Sequence, residues 1–349
     1  MDITNKTIWQ QACGDTDRNY SDVCLEWDVI LNGPWYAGPY PHCDQKLIED
    51  DWTSKKRTDI MRFATKMKHG DLVVLRMGTS EVLGVGEIVG DYEWLDFFSD
   101  IDGWDLQHVR RVRWFWKYTK KPKTFNTYDM KQGDTTQELN SPVVKAWLSK
   151  LKIPQEIYAT KIREIPKDKI KSIDHDEIAE YLYSQGVSNN SIDSLLKEFH
   201  ELQRIAKWYQ HHEKAPSEFE TLAYLVVPLL RALGWSPQKM GIEWHKVDVA
   251  LFDQLPREDK NLSVVVEVKK KGNSCLTAYS QAQGYAVGKE NCQRLIVTDG
   301  LRYGVYLKSK QTYHLIAYFN LIDMKEDCPV YNCKGVKEAL KIMTPEWRN

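Results

Sequence analysis

Hydrophobic positions follow three successive rhythms along the chain. Near the start, short runs such as DLVVLRMG (71–78) and EVLGVGEIVGDYEW (81–94) predict strands, with Gly78 and Ser80 between them as a hairpin turn. Around 172–213 the period changes. Asp174 with Glu177 reads as a capping box, and Ile192, Leu195, Leu196, Phe199, Leu202, Ile205, Ala206 and Tyr209 form a stripe at helical spacing. From Ser217 onward a helix, two strands, a helix and a strand pair joined at Asp299-Gly300 predict an α/β pattern. The chain therefore reads as a multidomain α+β protein. Residues 1–165 are expected to form a small β-barrel with loops, 166–213 a helical connector, and 214–349 an α/β domain. The segment from Asn320 to Asn349 adds one helix and a polar end.

Composition narrows the class. At 349 residues the chain exceeds one ordinary core. Charged residues make up 28%, and no apolar run approaches the roughly 20 residues a membrane span needs, so a membrane protein is excluded. The opening MDITNKTIWQQACGDTD has no basic region and no apolar core, so no signal peptide is expected there. Seven scattered cysteines without a CxxC pair predict reduced thiols in the cytoplasm, and Cys328 with Cys333 lacks the partners of a zinc site. His211 and His212 read as exposed helix-end residues.

Net charge is −1, yet residues 105–171 hold 16 Lys and Arg against 7 Asp and Glu. Within that region RRVRWFWKYTKKPK (110–123) has seven cations, no carboxylate and four interleaved aromatics. Cations beside flat rings suit a nucleic-acid backbone and its bases, so Arg110, Arg111, Arg113 and Lys117 are candidate phosphate contacts. A plain solvated face reads the same stretch equally well.

Four elements of the last part carry the candidate chemistry. Glu218 stands in phase with Leu222, Leu225 and Leu229 of a core-facing helix, whereas Glu220 lies off that stripe. Asp248 interrupts the apolar run of VDVALF, and Glu267 and Lys269 share one face of the strand SVVVEVKKK. Lys270 points to the other face, as a backbone contact or solvated charge. Gln281 and Tyr285 lie four apart on a helix. Inward carboxylates cost several kcal/mol unless paired or bound to a cation. Two or three of them beside a lysine suit Mg²⁺-dependent phosphodiester hydrolysis, in which the lysine orients or helps deprotonate the attacking water and stabilises the transition state.

The order helix Glu, strand Asp, strand Glu-x-Lys, helix Gln-x-x-x-Tyr, together with PLLRALGW (228–235), resembles the PD-(D/E)xK nucleases. It is closest in pattern to the nuclease domains of type I restriction subunits and related restriction proteins. The resemblance covers about 217–310, with Val247-Asp248 standing where the family has Pro-Asp. It implies an α/β domain with a central mixed sheet, a catalytic Lys269, and Mg²⁺ (or Mn²⁺) held by Asp248 and Glu267 with help from Glu218. Gln281 and Tyr285 would line the site or touch the substrate backbone. In the first part, Trp52, Met67-Lys68-x-Gly70-Asp71 and Gly84-x-Gly86-Glu87-Ile88 resemble the EVE domains of the PUA-like superfamily over about 22–120. That implies a base-recognition domain, with Trp52, Trp35, Tyr36 and Trp94 as pocket candidates for a flipped, modified base.

Together these readings imply a modification-dependent, type IV-like restriction endonuclease acting on double-stranded DNA in a prokaryotic cytoplasm. Two copies would be needed to cut both strands, so a homodimer is expected. No GxxxxGK[ST] motor motif occurs. Two alternatives stay open: a non-catalytic nucleic-acid reader on a nuclease-like scaffold, and an RNA-directed nuclease.

Overall fold

A strand with small residues opposite a tryptophan sets the geometry of the first half. Gly84 and Gly86 lie on the strand Glu81–Trp94, where a Cβ would meet the Trp114 ring at 3.1 Å and 2.9 Å. Glycine there lets the neighbouring strand His108–Lys117 lay its indole flat across the sheet. The computed structural model describes residues 2–15, 18–33, 37–153, 155–211, 216–271 and 274–348. Trp35, Tyr36 and His212 lie outside the described residues. The chain divides into two compact units, Met1–Lys167 and Asp168–Asn349.

In the first unit a mixed sheet runs in the order Val29–Asn32, His108–Lys117, Glu81–Trp94, Leu72–Met77, Ile8–Ala12, Thr136–Glu138. Ile8–Ala12 pairs parallel with Leu72–Met77, and the hairpin expected at Gly78 joins Leu72–Met77 to Glu81–Trp94. The sheet is a half-barrel rather than a barrel closed by backbone pairing. Its two outer strands are instead bridged by buried side chains. Gln11 Nε2 donates to the Leu31 carbonyl at 2.8 Å, Thr136 Oγ1 donates to Gln11 Oε1 at 2.8 Å, and Asn32 Nδ2 donates to Thr136 Oγ1 at 3.2 Å. Buried amides and hydroxyls must find partners, and these find each other across the gap.

The second unit holds an eight-stranded mixed sheet. Its order is Met240–Trp244, Val247–Phe252, Leu262–Val268, Arg294–Thr298, Arg302–Ser309, Thr312–Asn320, Cys333–Lys334, Asp327–Cys328. Leu262–Val268 and Arg294–Thr298 run parallel, connected through the helix Tyr279–Ala286. The Asp299-Gly300 turn then reverses the chain into Arg302–Ser309, with Gly300 at a φ of 82°.

The helices His175–Ser184 and Asn189–His211, which fall in the stretch 166–213 read from sequence as a connector, pack into the core of this unit. Asp174 and Glu177 form the expected capping box ahead of His175–Ser184, and the helix Asn189–His211 follows. Ile192, Leu195, Phe199 and Leu202 pack in one apolar cluster with Leu225, Leu229, Val264 and Val266. Periodicity showed the stripe but not what covers it. Phe199 is fully buried in that cluster. Phe199→Ala is therefore expected to destabilise the second unit by about 3–5 kcal/mol, read as a lower denaturant midpoint.

All seven cysteines are free thiols, five of them buried. No described helix is long and apolar enough to cross a membrane.

Candidate active site

Two adjacent strands bring the candidate carboxylates together. Val249 stands opposite Val266 in the antiparallel pair Val247–Phe252 and Leu262–Val268. One step further along the ladder, Asp248 and Glu267 stand side by side on the face that also carries Ala250 and Val265. Asp248 Oδ2 accepts the Val268 amide at 2.6 Å, which ties its carboxyl to the end of the neighbouring strand. The Lys269 amide donates to the Thr298 carbonyl at 2.7 Å and fixes the residue beyond it.

Helix Tyr279–Ala286 packs on the same face through Ala282 and Ala286 and supplies the other side. Lys269 Nζ donates to Glu267 Oε1 at 2.8 Å and to Gln281 Oε1 at 3.0 Å. Gln281 Nε2 donates in turn to the Tyr285 hydroxyl at 3.1 Å. Glu267, Lys269, Gln281 and Tyr285, separated by up to 18 positions in sequence, thus form one continuous chain of hydrogen bonds. Lys270 is exposed.

Electrostatics in this cluster follow from burial first. Glu267 is 1% exposed, and burial, with the Asp248 charge beside it, raises its pKa to about 7 against the pull of Lys269. Burial also raises Asp248, opposed by the Val268 amide and reinforced by Glu218. For Lys269 burial lowers the pKa, but Glu267, Glu218 and Asp248 outweigh it, so the amine is held protonated more firmly than usual.

The two helix glutamates separate here. Glu220 closes a capping box with Ser217: the Ser217 amide donates to its Oε2 at 2.7 Å. Glu218 is exposed and acts on Asp248, Glu267 and Lys269 through its charge. Just after it the helix widens into a π turn, Leu222–Val226, ahead of Pro228, whose ring has no N–H for the preceding turn.

No group of three or more His, Cys, Asp or Glu arranged to hold a metal is present among the described residues. Glu218 therefore joins the pair at Coulombic range, not as a formed third ligand. The pair itself suits a hard cation. Both groups offer oxygen, their charges repel, and Glu267 Oε2 is buried with no hydrogen-bond partner among the described residues.

A pH consequence follows for the protein kept free of divalent cations. The folded state holds the Glu267 proton more tightly than the unfolded chain, whose glutamate titrates near 4.5. Stability from this group is complete below that value and is lost as pH rises to about 7. Glu267→Gln is expected to flatten that slope, a gain on the order of 3 kcal/mol above pH 7, measured by denaturation in chelator across pH.

The basic strand takes a different role from the one its composition suggests. Arg110 is buried, 4% exposed, and donates to the carbonyls of Phe63 at 3.0 Å and Ala64 at 2.7 Å. Both belong to the π turn Arg62–Lys66, whose carbonyls lack regular helical partners. Arg111 donates to the Arg163 carbonyl, and Lys117 to that of Leu25 at 2.6 Å while pairing with Asp28 at 3.5 Å. Arg113 is half-buried. Trp114 and Phe115 are core residues, and Trp116 meets Trp147 edge-on at 5.3 Å. Arg110 in particular is spent on the fold. Its strand carries buried residues on both faces, with Val109 and Arg110 adjacent in sequence and both buried.

Among the pocket candidates, Trp52 is half-buried against the small cluster of Cys43, Leu47 and Ile60. Trp94 packs edge-on against His108 at 5.0 Å, and His108 Nδ1 meets the Tyr92 hydroxyl at 2.9 Å. Sequence reasoning also passed over Gln11, Asn32, Asp59 and Thr136. Asp59 is 1% exposed and accepts the Thr136 amide at 2.7 Å. For Gln11, Asn32 and Thr136 the available signal was a polar residue on a strand, whereas Asp59 lies on the helix Ser54–Met61.

A family profile described as a domain of unknown function (DUF8426) matches residues 9–139, within the first unit. No curated protein matches the chain.

Proposed function

We propose that this protein is a divalent-cation-dependent endonuclease that hydrolyses DNA phosphodiesters after its first unit recognises a modified base. On this reading the second unit is a PD-(D/E)xK-like nuclease and the first an EVE-like, PUA-like reader, together acting in restriction of foreign DNA in a prokaryotic cytoplasm. The supporting observation is the hydrogen-bonded array Glu267–Lys269–Gln281–Tyr285 with Asp248 on the adjoining strand. These groups converge although nothing in the core requires a charged cluster there.

Asp248 and Glu267 would hold Mg²⁺ or Mn²⁺, which when bound supplies Lewis acidity and a water of lowered pKa. The chain's own contribution is electrostatic. Lys269, kept protonated by three carboxylates, presents an ammonium donor where negative charge grows on the phosphate oxygens. On this reading its part is charge stabilisation. Gln281 holds the ammonium in place and passes the constraint to Tyr285. Glu218 adds negative potential that favours a cation at the pair.

The test is incubation with Mg²⁺ and matched duplexes, one plain and one carrying methylated or hydroxymethylated cytosine. Cleavage confined to the modified duplex is expected. Equal cutting of both would remove the reader role of the first unit, cutting of RNA alone would move the substrate class, and binding without any cutting would leave a non-catalytic reader. Glu218→Gln should lower cleavage about tenfold or more. Glu220→Gln, which loosens the helix cap, should cost about 1 kcal/mol of stability and leave cleavage unchanged. A double-strand break requires two such sites, so a homodimer is proposed, to be checked by sedimentation with and without DNA.

A further inference from the structure

The first unit carries a cleft of about 680 Å³ that none of the proposed base-pocket residues lines. Its floor is Trp9, 3% exposed, whose indole N–H donates to Asp71 Oδ2 at 2.9 Å. The Lys68 amide donates to the same oxygen at 2.9 Å, so the Asp71 carboxylate is engaged inside the fold. Asp134, a second carboxylate of the wall, is engaged by Arg62 at 2.8 Å and Lys55 at 3.4 Å. Exposed Glu138 is the third.

Against these stand Lys66, Lys68 and Lys131, whose ammonium groups are exposed at the cleft. Among the described residues none of the three makes an ion pair. This differs from the basic strand, where Arg110, Arg111 and Lys117 are committed to carbonyls of the fold. Two of the cleft's cations, Arg62 and Lys66, bound the π turn that Arg110 grips from behind through Phe63 and Ala64. The cleft therefore has a rigid floor, a braced wall and three uncommitted ammonium groups.

We propose that this cleft is the surface on which the first unit holds a nucleic-acid backbone, with Lys66, Lys68 and Lys131 taking successive phosphates. Lysine recognises phosphate as a point charge and reads no base, so the site supplies affinity and register, not sequence choice. Trp9, buried with its N–H satisfied, is a floor and offers no exposed face for stacking. The proposal rests on the nucleic-acid reading of the protein but not on the nuclease chemistry of the second unit.

The test uses the full chain and compares wild type, the triple variant Lys66→Gln/Lys68→Gln/Lys131→Gln, and a charge-matched control at exposed lysines away from the cleft, Lys150→Gln/Lys152→Gln/Lys197→Gln. Binding to duplex DNA and duplex RNA of the same sequence is followed by fluorescence anisotropy across salt. Three lost phosphate contacts should flatten the slope of log affinity against log salt by about 2.7 and weaken binding roughly 10²-fold or more near 0.1 M salt. The control should keep the wild-type slope, and thermal unfolding of the triple variant should match wild type because the three side chains have no partners to lose. The arm that shows the loss, DNA or RNA, identifies whose backbone is held. An unchanged slope in the triple variant, or an equal loss in the control, overturns the proposal while leaving cleavage by the second unit standing. A wild type that binds neither duplex overturns it together with the nucleic-acid reading.

Discussion

Lys269→Ala is expected to lower Mg²⁺-dependent DNA cleavage by about 10²–10³-fold while leaving duplex affinity close to wild type. Lys269 is the group on which the site's polar contacts converge: it donates to Glu267 and to Gln281 and lies in the field of Glu218 and Asp248. Its removal takes away the positive charge that faces the phosphate. It also leaves Glu267, 1% exposed, with neither oxygen paired, which raises the cost of ionising it further. Lys269→Arg is a sharper control. It keeps the charge but replaces the compact ammonium that donates to Glu267 Oε1 and Gln281 Oε1 by a wide planar fork, so cleavage should recover only in part. Single-turnover cleavage at saturating protein separates the chemical step from binding. A Lys269→Ala protein that cuts at the wild-type rate would remove this cluster from the reaction altogether.

A large effect on stability is also expected at Arg294, which no functional reading singled out. Its side chain is 1% exposed and spans the carbonyls of Ile342 at 2.9 Å and Thr344 at 2.7 Å and the Ser263 hydroxyl at 2.6 Å. Asp253 pairs with it at 3.4 Å. Burial lowers the guanidinium's pKa to about 10, so it remains charged at neutral pH. Helices end with carbonyls that lack partners, and here the closing carbonyls of Val336–Met343 are capped by Arg294 and by the Trp235 indole, which donates to Met343 at 2.8 Å. Arg294→Ala strands several buried acceptors at once and should cost about 3–5 kcal/mol. Arg294→Lys keeps the charge but reaches fewer acceptors, and should lose less. Denaturant midpoints give the magnitude. Hydrogen exchange gives the location, since protection should fall first in Val336–Met343, whose Leu340 and Met343 lie fully buried in the unit's main core.

Elements repeating on a short period are legible in the amino-acid sequence. The hairpin at Gly78, the capping box at Asp174 and the stripe from Ile192 to Tyr209 all depend on neighbours within a turn or two, and all are present. The alternation that puts Glu267 and Lys269 on one strand face is of the same kind. What such patterns do not contain is the identity of the surface opposite. Only the tertiary structure decided that the helices of 166–213 complete the second unit's core, and that the half-barrel's outer strands meet through Gln11, Asn32 and Thr136.

Charge was the least legible property. Arg110 and Lys66 are both simply cations in sequence. One is buried on two carbonyls of a π turn and the other is exposed at a cleft, a difference set by which other segments pack over each side chain. The same holds for Glu218 and Glu220: helical phase preferred the first, and only the capping box with Ser217 showed where the second is spent. Sequence by itself determined which residues of this protein lie on which face of each element, since that follows from local backbone geometry. Which of those faces are covered, and hence which charges remain free to meet a ligand, was decided by packing between segments distant in the chain.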